Sequence, residues 1–254
     1  MGSWRVLIGR AQRARLWLTT GGKRVSSSDL KAINVHFVEI AKTRAPHDQA
    51  MEMAIGGGFE LYGQIEVSLL RHFGLPQDGY LIDVGCGSGR LARPMSQWLK
   101  GRYLGIDLVP ALVSHARKIA QRPDWRFEVI RHIGIPEADG QADMVCFFSV
   151  LTHLLHEQSY WYLEEAKRVL KPSGRIVFSF LEFANSGHLQ VFRETLAAEK
   201  KRMQIPMNVF IERNAIEVWA RELGLEVVGL HDGAEAIAPE GPLGQSLCVL
   251  RKPA

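Results

Sequence analysis

The sequence predicts an α/β protein: a doubly wound, mostly parallel seven-stranded sheet carrying an N-terminal helical cap. Three observations predict it. Short apolar runs of strand length recur from Tyr80 onward, separated by segments with helical periodicity. A glycine-rich turn, Gly85-Cys86-Gly87-Ser88-Gly89, joins the first such run to a helix. The first 78 residues carry no strand signal at all.

In chain order, Ser26-Ser27-Ser28-Asp29 reads as a helix start, and Leu30, Ile33, Phe37 and Ile40 form one apolar face that must stop before Pro46. A second helix is expected from Phe59 to Phe73, with Leu61, Ile65, Leu69 and Leu70 as its buried side and Gly74, Pro76 and Gly79 ending it. Strands are expected at Tyr80–Val84, Arg102–Ile106, Trp125–Ile130, Ala142–Phe148 and Arg175–Leu181, with two later ones at Leu225–Leu230 and Ser246–Leu250. Helices are expected from Arg90 to Leu99, from Pro110 (a proline suited to a first helical position), before Val169, and from Ile211 to Leu223. Residues 1–78 thus form a basic leader and helical cap, and 79–254 the main domain. Residues 184–210, long and polar, are expected to form a lid. Parallel strands joined by helices place ligands beyond the carboxyl ends of the strands.

The composition excludes several classes. No run of eighteen apolar residues exists, which argues against a membrane span. Cys86, Cys146 and Cys248 are far apart and odd in number, so neither a disulfide framework nor a metal site is expected, and a reducing cytoplasm fits best. The net charge of +4 is too mild to imply nucleic acid. Residues 1–28 hold Arg5, Arg10, Arg13, Arg15, Lys23 and Arg24 without an acid. That stretch reads as a solvated leader, as a patch meeting an anionic surface, or as a transit peptide, in that order. The oligomeric state is not legible.

The chemistry is concentrated in Leu81-Ile82-Asp83-Val84-Gly85-Cys86-Gly87-Ser88-Gly89-Arg90. Glycines let a ligand approach the backbone, a helix N-terminus offers N–H donors, and Asp83 is an acceptor over the loop. Asp107 closes the second strand about twenty residues on, where a carboxylate can accept from ribose hydroxyls. Both NAD and S-adenosylmethionine carry a ribose, so this step leaves the two cofactors open.

The whole run resembles the class I S-adenosylmethionine-dependent methyltransferases, particularly small-molecule members. Leu81–Leu91 resembles their first motif, and Tyr103-Leu104-Gly105-Ile106-Asp107 their second strand. Asp143–Leu154 resembles their fourth strand and its exit, and Arg168–Arg175 the turn into the fifth. The resemblance implies S-adenosylmethionine as cofactor. It implies that Asp83, Gly85, Cys86, Gly87, Gly89 and Arg90 cradle the methionine end, Asp107 holds the ribose, Leu108 packs on the adenine and Ser149 lines the pocket. Where the family often has an acid after the third strand, this chain has Ile130-Arg131-His132-Ile133, so His132 and Ile133 are the candidates for the adenine amino group.

The resemblance further implies transfer of a methyl group to a small-molecule acceptor, here expected at the oxygen of a sugar, lipid or secondary metabolite. A hydroxyl acceptor calls for a general base. His153, just beyond the fourth strand, is the first candidate, with Glu182 and His156 behind it; each has a purely structural alternative. His36, Phe59 and Tyr62 are cap residues that could close over the site, although helical spacing equally makes such aromatics core. Two alternatives use the same loop: a nucleic-acid methyltransferase and a non-catalytic cofactor-binding module. The exit Ser149-Val150-Leu151-Thr152 lacks the Pro-Pro-aromatic signature of base-amine methylation, and Cys146 lies in an apolar strand unsuited to a nucleophile.

Overall fold

The computed structural model describes residues 35, 38–39, 43, 46–56, 58–201 and 207–254. The basic leader, the start of the first expected helix and His36 lie outside the described residues. Two cap helices are described, α1 (His47–Ala54) and α2 (Phe59–His72). The main body then runs β1 (Tyr80–Val84), α3 (Ala92–Trp98), β2 (Arg102–Asp107), α4 (Pro110–Ala120), β3 (Arg126–Val129) and β4 (Ala142–Phe147). It continues with a short 3₁₀ turn (Leu151–His153), α5 (His156–Val169), β5 (Leu170–Phe180), α6 (Ser186–Lys200), α7 (Arg213–Glu222), β6 (Glu226–His231) and β7 (Ser246–Arg251).

The seven strands form one sheet in the order β3-β2-β1-β4-β5-β7-β6. All neighbours from β3 to β5 are parallel, while β7 runs antiparallel to both β5 and β6. Burial on both faces explains the near-continuous apolar runs of β1 and β4. Leu81, Tyr103, Met144, Cys146 and Val177 point to one side, where α2, α3 and α4 supply Ile65, Met95 and Ala116. Ile82, Leu104, Val145, Phe147 and Phe178 point to the other, against Leu163 and Ala166 of α5 and Ile216 of α7. α1 docks through Ala50, Met51 and Ala54 on Val109 and Leu112, at the start of α4. The chain order reverses between β1 and β4, and a topological switch point opens the sheet to a ligand there.

Several expectations are displaced by tertiary contacts. α2 does not bury Leu61, which is exposed; its inner face is Phe59, Gly63, Ile65, Glu66, Val67, Leu69 and Leu70. The turn into the fifth strand, expected at Arg168–Arg175, is largely built into β5: Ala142 pairs with Leu170 but Met144 with Arg175, so the excess residues bulge out, with Ser173 at φ 64°. α3 begins two residues later than expected because the glycine turn extends through Leu91. In the stretch expected to be a lid, α6 is capped by the Asn185 side chain, which accepts from the Gly187 and His188 amides. Among the described residues no helix is long and apolar enough to cross a membrane.

Candidate active site

A cavity of about 220 Å³ opens along the carboxyl ends of the central strands. Its lining follows the sheet order. Ile130 follows β3, Asp107 and Leu108 end β2, Asp83 to Gly87 leave β1, and Phe148 to Val150 leave β4. Leu243 and Gln245, just before β7, close the far end, and Ile55, Tyr62 and Glu66 come from the cap.

The glycine turn is held open by specific approaches. Gly85 has φ 76°, and a Cβ there would stand 2.4 Å from Val150 Cγ2. Gly87, at φ 55°, donates its N–H to Asp107 Oδ2 at 3.0 Å, tying the loop to the end of β2. Asp107 Oδ1 accepts from the Val109 N–H at 2.9 Å. Burial raises the Asp107 carboxyl, and these backbone donors oppose the shift. The acid expected to serve a ribose is therefore pre-oriented by two amides, and each oxygen keeps a lone pair for a ligand.

Asp83 is buried beneath the turn. It accepts from the Tyr103 hydroxyl and, through its other oxygen, from the Cys146 thiol at 3.7 Å. Burial pushes its carboxyl up to about 7, and the charge of Glu66 adds to the rise while Tyr103 works against it. Arg90 forms a 2.6 Å ion pair with Glu66, and burial raises the Glu66 carboxyl against that pull. Burial also raises the Cys86 and Cys146 thiols well above their usual range, so neither is a thiolate nucleophile.

Ser149, at the exit of β4, adopts φ 59°, a strained conformation for a side chain of that type. Its N–H donates to Ser179 Oγ (2.8 Å), and both Ser179 and Ser149 hydroxyls donate to Gln245 Oε1 (2.6 and 3.3 Å). Because the amide oxygen accepts both, Gln245 turns its NH₂ away from the serines.

His153 lines the cavity, and its Nδ1 lies 2.7 Å from the Met207 carbonyl. A carbonyl only accepts, so Nδ1 carries a hydrogen and donates it to Met207. The neighbouring turn is anchored the same way, the Val209 N–H donating to the Thr152 carbonyl at 2.8 Å.

The cavity brings together Asp83, Gly85, Cys86, Gly87, Arg90, Asp107, Leu108, Ser149 and His153. Five sequence candidates lie elsewhere. Gly89, at φ 95°, faces α4, and a Cβ there would meet Ala116 Cα at 2.8 Å, so it serves packing. His132 is exposed, Ile133 packs into the core beside α5, and Ile130 occupies the cavity edge in their place. Glu182 is buried away from the cavity, where Arg213 donates to both its oxygens at 2.8 Å and Ser246 adds a third bond. His156 is exposed, with Nε2 donating to the Phe210 carbonyl at 3.0 Å. Glu66 and Gln245 were missed. Glu66 sits four residues before Leu70 and seven after Phe59 on the buried face of α2, and an acid at that spacing is the signal that could have found it. Gln245 had no comparable signal.

Residues 82–178 match the family model described as a methyltransferase domain. Over that stretch the chain is similar to the class I S-adenosylmethionine-dependent methyltransferases. It is 31% identical over 155 residues to a malonyl-[acyl-carrier protein] O-methyltransferase of Hahella chejuensis, covering 61% of this chain and 53% of that protein. It is 26% identical over 161 residues to a ubiquinone biosynthesis O-methyltransferase of Xanthomonas axonopodis pv. citri, covering 60% and 64%. The chain therefore spans less than two thirds of the length of these curated relatives. In fold it is similar to the S-adenosylmethionine-dependent methyltransferase SibL in its apo form, with a TM-score of 0.64 at 16% identity over 99% of this chain and 75% of that one. S-adenosylmethionine is the family's cofactor. The cavity suits such a group: Gly85 and Gly87 line it, and the buried Arg90 Nε has no partner among the described residues.

Proposed function

We propose that this methyltransferase moves a methyl group from S-adenosylmethionine to an oxygen of a small molecule, with His153 as general base. The observation that carries the reading is His153 itself, which lines the cavity that also holds the glycine turn and Asp107, with its Nδ1 fixed by the Met207 carbonyl. Both curated relatives are O-methyltransferases by name, which supports oxygen as the acceptor atom. The three buried, unpaired cysteines suit a reducing compartment, and we place the activity in the cytoplasm.

When bound, S-adenosylmethionine supplies an electrophilic methyl group on a sulfonium, which needs no activation. The protein's own work is positional. Asp107 and the amides it orients hold the sugar end, and Leu108, Leu112 and Ile130 give an apolar slot for a base. Asp83 and Arg90 hold the amino-acid end. Such alignment with water excluded can contribute about 7–11 kcal/mol of barrier reduction. With these residues at the β3, β2 and β1 side holding the cofactor, the β4–β7 end, with Phe148, His153, Leu243 and Gln245, would be left for the acceptor. His153 Nε2 takes the hydroxyl proton as the oxygen is methylated. The Met207 carbonyl stabilises the imidazolium through Nδ1–H, and solvent later takes the proton.

The test is transfer of labelled methyl from the cofactor into fractionated cell extract. Label is expected in an O-methylated small molecule. His153→Ala should lower incorporation by about 10²–10⁴-fold with affinity for the demethylated product cofactor unchanged. His153→Gln should not restore it, because an amide cannot take the proton. Label confined to nucleic acid, or cofactor binding with no incorporation anywhere, would reject the reading.

A further inference from the structure

We infer that Glu66, a cap residue outside the matched methyltransferase domain, completes the cofactor site by binding the α-ammonium of its amino-acid end together with Asp83. The inference rests on the cofactor reading above.

Three observations converge. First, α2 is built directly onto the glycine turn. Gly63 lies against the Arg90 carbonyl, where a Cβ would be 2.4 Å from that oxygen, so only glycine lets the helix come this close. One turn further along, Glu66 reaches the cavity, and Tyr62 faces the Arg90 guanidinium at 5.9 Å. Second, the charges do not balance. Among the described residues, Asp83 and Glu66, 3% and 1% exposed, share one cation, Arg90; the other groups at Asp83, Tyr103 and Cys146, are neutral. A buried cluster with one excess negative charge needs a proton or a second cation. Third, Arg90 has a donor to spare in its buried Nε–H. A lone carboxylate pair would suit any small cation. Two acids and an arginine with an unused donor suit a zwitterion, an ammonium beside a carboxylate. The amino-acid end of S-adenosylmethionine or S-adenosylhomocysteine has that form. Glu66 thus has two roles, orienting Arg90 and receiving the ammonium.

Calorimetric titrations with two probes separate these roles from a merely structural one. S-adenosylhomocysteine carries the zwitterion, and 5′-methylthioadenosine lacks it. Glu66→Gln keeps the shape and an acceptor for Arg90 but removes the charge. It should weaken S-adenosylhomocysteine by about ten- to a hundredfold, the loss of one charged hydrogen bond, and leave methylthioadenosine unchanged. Equal losses for both probes, or no loss for either, would overturn the inference. If Glu66→Gln does not fold, the wild-type protein still decides. It should bind S-adenosylhomocysteine at least about tenfold tighter than the deamino analogue of that compound, and equal affinity would overturn the inference. Wild-type protein that binds neither S-adenosylhomocysteine nor methylthioadenosine would instead reject the cofactor reading itself.

Discussion

Replacing Glu182 with alanine separates a catalytic carboxylate from a structural one. The sequence made Glu182 a candidate base because it follows β5. In the structure its side chain is 2% exposed, and its oxygens accept from Arg213 twice and from Ser246. The His188 Nδ1 also accepts from the Glu182 N–H at 3.1 Å, so the backbone there is fixed as well. Breaking a buried pair by removing one partner costs about 3–5 kcal/mol, because the other charge loses its compensation. Arg213 is 39% exposed and regains water, so the low end, about 3 kcal/mol, applies. For a chain of this size that corresponds to a fall in Tm of roughly 6–12 °C. The sign with pH follows from the carboxyl. Burial alone would raise it, but Arg213 and Ser246 outweigh burial and hold it below the usual glutamate range. The contribution is therefore complete at neutral pH and fades as pH falls through the depressed value. Thermal melts of Glu182→Ala at pH 7 and near pH 4, with methyl transfer measured well below the transition, test this. A variant that melts like the wild type but loses turnover would refute the structural assignment and restore Glu182 as a catalytic group.

Three further outcomes follow from the geometry. Gly89→Ala should destabilise the protein by about 1–3 kcal/mol, because the added methyl meets Ala116 at a left-handed backbone position; a denaturation midpoint equal to that of the wild type would contradict it. Asp107→Ala should weaken S-adenosylhomocysteine by about 1.5–3 kcal/mol or more, since it removes a charged acceptor and frees the Gly87 and Val109 amides, and unchanged calorimetric affinity in a folded variant would end the ribose assignment. His132→Ala should leave cofactor affinity as it is, because the ring stands outside the cavity; a clear loss would mean that the segment after β3 folds inward on binding.

Local sequence carried the fold and the part of the cavity wall built by the glycine turn and the end of β2. Strand periodicity, the proline at the start of α4 and the alternate glycines are properties of neighbouring residues, and they set the βαβ order that fixes where a ligand meets the sheet. Asp83, Gly87 and Asp107 were legible for the same reason: each lies at or within three residues of the carboxyl end of a strand that faces the cavity. Tertiary structure decided what depends on residues far apart in the chain. Glu182 and His153 both follow central strands and look equivalent in sequence, but Arg213 pairs with one and Ser246 donates to it, while the Met207 carbonyl fixes a hydrogen on Nδ1 of the other. Gly89 resembles its loop partners until α4 is packed against it. Glu66 and Gln245 reach the cavity only because α2 closes onto the Arg90 backbone and β7 runs antiparallel beside β5. Hydrogen bonds and ion pairs act over a few ångströms of space, whatever the separation along the chain, so a side chain's partner, and with it its charge and role, is settled only when the chain has folded.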